Sequence, residues 1–203
     1  MKIGIFISGT GSNMETVIRN FQNGTLDGVS EISFVLSDKK NAGGIEKAQK
    51  LGIQTVILPK MKDETRENYE LRLYDAVKPF NTGLIVLAGF MKIIGSSFMS
   101  RYKGKIINIH PSLLPSFKGV DAQKQAFDYG VKISGCTVHF VDETLDGGPI
   151  ILQKSVERHE LDTVDDFKHR ILDEEHRLLS KAISIVAQNN YTIKDRLVSL
   201  ERR

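Results

Sequence analysis

The sequence has few of the residues that form covalent or metal cross-links. Its 203 residues include one cysteine, Cys136, and no tryptophan. A single cysteine excludes both an intrachain disulfide and a thiolate metal cluster. Because Cys136 lies within the apolar run ISGCTVHF, we expect a small buried side chain there, not a nucleophile.

Long apolar runs and a strong charge imbalance are also missing. No run approaches the roughly 18 apolar residues of a membrane helix, and the opening MKIGIFISG leads directly into a turn, unlike a signal peptide. The net charge of +3 is too small to indicate nucleic-acid binding by itself. We therefore expect a cytoplasmic protein with no nucleic acid and no membrane among its partners.

The sequence does contain a repeated alternation of apolar strand patterns and amphipathic helix patterns. The strand patterns of the first half do not alternate with polar residues, which is typical of parallel strands buried on both faces. They lie at residues 2–8, 31–37, 53–58, 82–89 and 105–110. The alternation predicts an α/β fold: a single doubly wound, mostly parallel sheet with helices on both faces.

The pattern changes in the second half of the chain. Two apolar strands, at 132–143 and 147–157, are separated by only a few residues, which favours an antiparallel pair. A long amphipathic helix pattern at 163–189 and one weak strand at 191–200 follow. We therefore predict that the C-terminal part of the sheet is more antiparallel.

A glycine turn, SGTGSN, separates the first strand from the first helix. No lysine follows it and Met14 replaces the third glycine of a dinucleotide fingerprint, so neither nucleotide motif is matched. Two interpretations stay open: backbone N–H groups that bind a single phosphate, or a helix start capped by Ser12 and Glu15. The position after a strand favours the phosphate.

The segment INIHPSLLP places two polar side chains at the end of an apolar strand. Asn108 and His110 alternate along the strand and so project from one face. Histidine suits proton transfer, and an asparagine N–H group can stabilise an oxyanion. Asp146, in the turn ETLDGGPI, is a carboxylate that would favour imidazolium and raise the pKa of His110. Each feature also has a purely structural interpretation, as a strand end or a turn.

Two further features have mainly structural interpretations. His139 lies within a strand pattern and is expected to be a hydrogen-bonded structural histidine, and the five histidines show no spacing typical of a metal site. The charged residues 173–176 of the long helix indicate a solvated face, or one inward carboxylate that binds an amine. The glycines 147–148 would let the backbone approach a flat ligand.

Five motifs occur together in order and spacing over nearly the whole chain: ISGTGSN, LAGFMKII, NIHPSLLPSFKG, HFVDETLDGGPIILQ and EEH. With them the chain resembles the phosphoribosylglycinamide formyltransferase family, folate-dependent enzymes of de novo purine (IMP) biosynthesis. The resemblance implies a formyltransferase-like fold. It also implies transfer of a formyl group from the co-substrate 10-formyltetrahydrofolate to the amine of 5′-phosphoribosylglycinamide, with no metal.

The resemblance implies roles for particular residues. Asn108 and protonated His110 would hold the oxyanion of a tetrahedral intermediate, and Asp146 would keep His110 charged. Implied substrate-binding residues are Gly11, Ser12, Asn13, Leu172, Asp173, Glu174 and Glu175. Implied folate-binding residues are Arg66, Met91, Lys92, Ile93, Ile94, Asn108, Asp142, Glu143, Thr144 and Leu145. The chain departs from many members of the family at Lys92, where arginine is common, and at Asp121, where histidine is common.

The resemblance also divides the chain and defines its competitors. We expect one domain over 1–203, with a phosphate- and substrate-binding half at 1–103 and a catalytic and folate-binding half at 104–203. We expect small-molecule substrates and a monomer or weak homodimer. Alternatives are a 10-formyltetrahydrofolate hydrolase and a formyltransferase acting on another amine. More distant are a nicotinamide oxidoreductase with Asp38 as its ribose-binding acid, which Met14 disfavours, and a non-catalytic binding module.

Overall fold

A computed structural model describes residues 1–202. Seven strands form one sheet in the order β3-β2-β1-β4-β5-β6-β7, and β8 and β9 form a second, two-stranded sheet. The strands are β1 Lys2–Ile7, β2 Glu31–Ser37, β3 Thr55–Ile57, β4 Leu84–Leu87, β5 Ile106–His110, β6 Ile133–Phe140, β7 Ile150–Glu157, β8 Asn189–Lys194 and β9 Leu197–Arg202. The α-helices are α1 Ser12–Gln22, α2 Gly43–Lys50, α3 Arg66–Val77, α4 Ser96–Met99, α5 Ala122–Tyr129 and α6 Val164–Gln188.

The pairing confirms the predicted fold class. β1 pairs in parallel with β2 and β4, and β2 pairs in parallel with β3. β6 and β7 are antiparallel, as the short connection between them predicted. The chain separates into two compact units, Met1–Ile107 and a second that begins at Asn108. The single domain over 1–203, and its division at 103, stay predictions.

The core of the first unit explains why its strands are uninterrupted apolar runs. Every residue of β1 after Lys2 is buried. The ring of Phe6 lies at its centre, with centroids 6.1 Å from Phe34, 5.3 Å from Phe90 and 5.8 Å from Phe98. Because β1, β2 and β4 are parallel, their carboxyl ends lie at one edge of the sheet, where ligands of such sheets bind.

In the second unit, α6 carries much of the apolar core. Thr163 and Asp166 form a capping box at its start, which satisfies backbone N–H groups that the helix leaves unpaired. Phe167, Ile171 and Leu179 are fully buried. Within residues 1–202, no helix combines the length and the apolar composition needed to cross a bilayer.

The prediction of one weak strand at 191–200 is wrong. Residues of this segment form the hairpin of β8 and β9, in which Lys194 pairs with Leu197 across a two-residue turn. Asp195 occupies the left-handed region in this turn, with a φ angle of 55°. Aspartate tolerates this conformation better than most residues, but the turn lacks the glycine that usually signals a tight hairpin.

Candidate active site

The glycine turn in the first unit connects β1 to α1, and its backbone conformation requires glycine at position 11. Gly11 has a φ angle of 70°, and an added Cβ would lie 2.8 Å from Met14 Cε and 2.9 Å from Gly44 Cα. A side chain at this position would therefore be both strained and crowded. With residues 88, 89 and 91, the turn lines a cavity of about 160 Å³.

The capping interpretation of this turn is wrong. Helix α1 begins at Ser12 after Gly11, and no side chain caps it. Glu15 instead pairs with Arg19 at 2.8 Å and Lys47 at 2.9 Å, and these hydrogen bonds, that of Lys47 first, hold its carboxyl pKa below the usual value. Among residues 1–202, no side-chain cap therefore competes with an anion for the start of α1.

In the second unit, β5 presents the two polar side chains singled out in the sequence. Asn108 is half-buried, and His110 is buried. His110 Nδ1 lies 3.4 Å from Asp146 Oδ2, and the backbone N–H of Gly119 donates to the same oxygen at 2.8 Å. The fold thus brings Asp146 to His110 across a sequence separation that no local pattern could establish.

Both ring nitrogens of His110 face oxygen acceptors. Nε2 lies 2.8 Å from the carbonyl oxygen of Phe117, and Nδ1 faces Asp146. A carbonyl and a carboxylate can only accept hydrogen bonds, so the doubly protonated ring satisfies both contacts. This geometry suits a group that donates a proton.

His139 is a neighbour of Asn108 that sequence reasoning assigned to structure alone. It is 2% exposed, and its Nδ1 lies 2.8 Å from the carbonyl oxygen of Phe140, so Nδ1 carries the hydrogen. Nε2 then accepts from Asn108 Nδ2 at 3.2 Å. Burial lowers the pKa of His139 and so favours the neutral ring that this pattern needs.

The anchoring by His139 uses one donor of the Asn108 side chain. The Nδ2 group has two N–H bonds, and one of them is directed at His139. This contact fixes the orientation of the amide and uses only one of its two N–H groups. The pair of Asn108 and His139 had one signal in the sequence: each is a polar residue within an apolar strand pattern.

The turn that contains Asp146 is closely packed against its own chain. Asp146 has a φ angle of 46°, and Asp142 Oδ1 accepts from the N–H of Thr144 at 2.9 Å. A Cβ at Gly148 would clash with the carbonyl oxygen of Phe140, and one at Gly147 with Thr144 Oγ1. The sequence suggested that these glycines let the backbone approach a flat ligand. The atoms that they approach closely belong instead to the protein itself.

The residues with implied folate contacts lie in two segments and one helix start. In the first unit, Met91, Lys92 and Ile93 are exposed and Ile94 is buried. Arg66, at the start of α3, pairs with Glu70 at 2.9 Å. In the second unit, the remaining residues are exposed or half-buried: Asp142, Glu143, Thr144 and Leu145.

The acidic segment of α6 presents its residues to different surroundings. Glu175 is buried, and Gln123 Nε2 lies 3.5 Å from its Oε1. Glu174 pairs with Arg177 at 2.8 Å, Asp173 is exposed and Leu172 is half-buried. One carboxylate of the cluster therefore points inward, and no sequence pattern had indicated Gln123 as its neighbour.

Two other sequence expectations concern metal and thiol chemistry. Among residues 1–202, no group of three or more histidine, cysteine, aspartate or glutamate side chains is arranged to hold a metal ion. Cys136 is a buried free thiol whose pKa burial raises to about 12. The expectation of a small buried cysteine is confirmed, and its lack of reactivity stays a prediction.

Comparison with known proteins gives the same family throughout. Residues 1–183 match the family described as formyl transferase. The phosphoribosylglycinamide formyltransferase of Bacillus subtilis is 39% identical over 190 residues, which cover 93% of this chain and 96% of the relative. The Escherichia coli enzyme of the same name is 36% identical over 99% of this chain and 94% of its own length.

A solved structure and a set of longer relatives complete the comparison. Glycinamide ribonucleotide transformylase 1 from Symbiobacterium toebii superposes with a TM-score of 0.94 at 37% identity, covering 98% of this chain and 93% of that chain. The trifunctional purine biosynthetic protein adenosine-3 of Chironomus tentans is 42% identical over 195 residues, but the chain spans 14% of that protein's length. The chain therefore belongs to the formyl transferase family, among the phosphoribosylglycinamide formyltransferases, as the resemblance in its motifs predicted.

Proposed function

We propose that the chain transfers a formyl group from 10-formyltetrahydrofolate to the amine of 5′-phosphoribosylglycinamide in purine biosynthesis. The observation that carries this proposal is the contact of His110 with Asp146. His110 lies on β5, the strand that also presents Asn108. An acid with a carboxylate partner, beside an amide donor, is the set that acyl-type transfer to an amine needs. Membership of the family supports this assignment.

Asn108 and His110 would share the charge that develops on the formyl oxygen. The N–H of Asn108 that is not bonded to His139 donates to this oxygen, a contact worth about 3 kcal/mol in comparable sites. His110 would donate a second hydrogen bond through Nε2–H, in place of its contact with the Phe117 carbonyl, and would supply the proton that the leaving nitrogen requires. Asp146 would act through His110, because its Oδ2 faces Nδ1 at 3.4 Å and so holds the ring in one orientation.

The other residues would bind the two substrates. The backbone of Gly11, Ser12 and Asn13 holds the phosphate, which is supported by the uncapped start of α1 and the small adjoining cavity. The buried carboxylate of Glu175 accepts hydrogen bonds from the amine end of the ribonucleotide. Leu172, Asp173 and Glu174 would surround it on α6.

The segments assigned to folate have the composition that a flat heteroaromatic ring needs. Met91 is 64% exposed, Ile93 63% and Leu145 53%, which is high for large apolar side chains. The apolar surfaces of these three side chains are therefore open to contact with a flat ring. 10-Formyltetrahydrofolate would supply the formyl group, and the chain's residues would orient it and exclude water. Arg66, Lys92 and Ile94, with Asp142 to Thr144, would complete the contacts.

The experiment is a formyl-transfer assay with two substrate conditions. Purified protein is mixed with 10-formyltetrahydrofolate, with and without 5′-phosphoribosylglycinamide, and tetrahydrofolate release is followed by absorbance. Release that requires the ribonucleotide supports the proposal. Release without it indicates the hydrolase, and folded protein with no release in either condition contradicts the proposal and directs the search to another amine.

A pair of histidine variants tests the assignment of the site. His110→Ala should abolish most of the transfer, whereas His159→Ala, at an exposed position on a turn, should retain it. Equal activity of the two variants would contradict the role of His110. The cytoplasmic location and the monomeric or weakly dimeric state remain predictions from the sequence.

A further inference from the structure

Ser8 joins two segments that follow neighbouring strands of the first unit. It is the residue after β1, and its side chain is buried. Its hydroxyl donates to Asp38 Oδ1 at 2.5 Å and accepts from the backbone N–H of Met91 at 2.8 Å. One hydroxyl thus connects the end of β1, the residue after β2 and a segment that follows β4.

Asp38 determines the direction of this pair of hydrogen bonds. A serine hydroxyl has one hydrogen, and a carboxylate oxygen can only accept. With the hydrogen directed at Asp38, an oxygen lone pair of Ser8 faces the N–H of Met91. Hydrogen bonds in such a chain polarise and strengthen one another. Asp38 is 5% exposed, and burying a carboxylate is costly unless it is hydrogen-bonded.

The same segment is held by two backbone hydrogen bonds and an aromatic contact. The N–H of Ala88 donates to the carbonyl of Phe6, and the N–H of Ser8 donates to the carbonyl of Gly89, both at 2.9 Å. The ring of Phe90 packs edge-on against Phe6. The bond from Met91 to Ser8 is the last of this series and the only one of these that depends on a side-chain hydroxyl.

We propose that Ser8, oriented by Asp38, is a positioning residue that fixes Met91 and thereby the 91–94 segment for the formyl donor. This inference rests on the proposed function, in which that segment contacts folate. It assigns Asp38 a task unlike that of a ribose-binding acid, because the carboxylate is buried and its Oδ1 accepts from Ser8. It also means that the Met91 N–H is used within the protein, so Met91 offers its exposed side chain to the ligand.

Ser8→Ala removes the hydroxyl and keeps the backbone bonds. We expect the KM for 10-formyltetrahydrofolate to rise about five- to tenfold, which is the effect of one lost hydrogen bond. The KM for 5′-phosphoribosylglycinamide and kcat should change by less than about twofold, because the bond from Ser8 N–H to Gly89 remains. Asp38→Asn should shift the folate KM in the same direction but less, since an amide no longer imposes the direction of the Ser8 hydrogen.

A matched control is Ser134→Ala. Ser134 is also buried, at 2% exposure, and its hydroxyl has no hydrogen-bond partner among the residues that the structure describes. This variant should leave both KM values unchanged. If Ser134→Ala raised the KM for 10-formyltetrahydrofolate as much as Ser8→Ala does, the proposal would be overturned.

Amide hydrogen exchange followed by NMR tests the contact without any activity. The Met91 amide should exchange about tenfold faster in Ser8→Ala than in the wild type, while the Ala88 amide should not change. An unchanged exchange rate of the Met91 amide would overturn the positioning role. A fall in kcat with similar changes in the KM values of both substrates would overturn it as well. If the wild type transfers no formyl group, the proposed function fails, and the exchange result still decides whether Ser8 holds Met91.

Discussion

Replacement of His139 by phenylalanine tests whether the anchoring of Asn108 matters for the reaction. Phenylalanine keeps a buried ring but has no lone pair to accept the hydrogen bond from Asn108 Nδ2, which spans 3.2 Å. A neutral hydrogen bond of this kind contributes about 0.5–1.5 kcal/mol. If that energy orients Asn108 in the transition state, kcat should fall by about two- to tenfold.

The decisive comparison is a double-mutant cycle. Asn108→Ala should lower kcat by about 10²- to 10³-fold, the usual effect of removing one oxyanion donor. Because His139 would act through Asn108, the double variant should be no slower than Asn108→Ala, within about twofold. kcat is measured for all four proteins by tetrahydrofolate release under saturating substrates.

Two results would refute this reasoning. If the double variant were a further tenfold slower than Asn108→Ala, the two residues would act independently. If His139→Phe had the same kcat as the wild type, the hydrogen bond would have no part in orienting the amide. His159→Phe, at an exposed histidine, is the control for the substitution itself.

Three further predictions concern stability and reactivity. Burial lowers the pKa of His139 below its ordinary value of 6.5, so the unfolded chain binds the proton more readily than the folded protein does. The contribution of His139 to the free energy of unfolding should therefore be fully retained above pH 6.5. Below pH 6.5 it should fall by up to about 1.4 kcal/mol per pH unit, until the pH passes the folded-state pKa. Urea titrations between pH 5 and pH 8 (about the window in which histidine titrates) should show this component in the wild type but not in His139→Phe. Cys136, with its pKa raised to about 12, should react with a thiol reagent at pH 8 only after unfolding. Thr163→Ala should lower the free energy of unfolding by about 1 kcal/mol through loss of the capping box, whereas Thr192→Ala, on an exposed strand position, should change it by less than about 0.5 kcal/mol.

Each of these predictions has a contrary outcome. An acid-side loss of stability that is the same in His139→Phe would assign the effect to other groups. Rapid modification of Cys136 in the folded protein would contradict its burial. Equal effects of the two threonine substitutions would contradict a specific contribution of the cap.

The sequence predicted the strands well because burial on both faces leaves an unmistakable run of apolar residues, as in β1 and β4. The glycine turn was ambiguous because Ser12 and Glu15 have capping-box spacing, and only the fold shows that Lys47 on another helix takes Glu15 away from the cap. Asn108 and His110 were proposed together because they alternate along one strand, and Asp146 was added from its turn. The fold brings Asp146 to His110, and the catalytic roles of the three residues stay predictions. His139 was undervalued, since its pairing with Asn108 depends on which strands are neighbours.

The two buried histidines of the second unit lie near the same carboxylate yet have complementary hydrogen-bond patterns. His110 faces acceptors with both nitrogens, and His139 has a carbonyl on one side and an amide donor on the other. Protonation of His139 at acidic pH would therefore break its hydrogen bond with Asn108, because an N–H of the ring would then face the N–H of the amide. A designer who grafts Asn108, His110 and Asp146 onto another scaffold would move the proposed reactive groups but lose the hydrogen bond from Asn108 to His139. A graft of the proposed site should therefore include His139 as a fourth side chain.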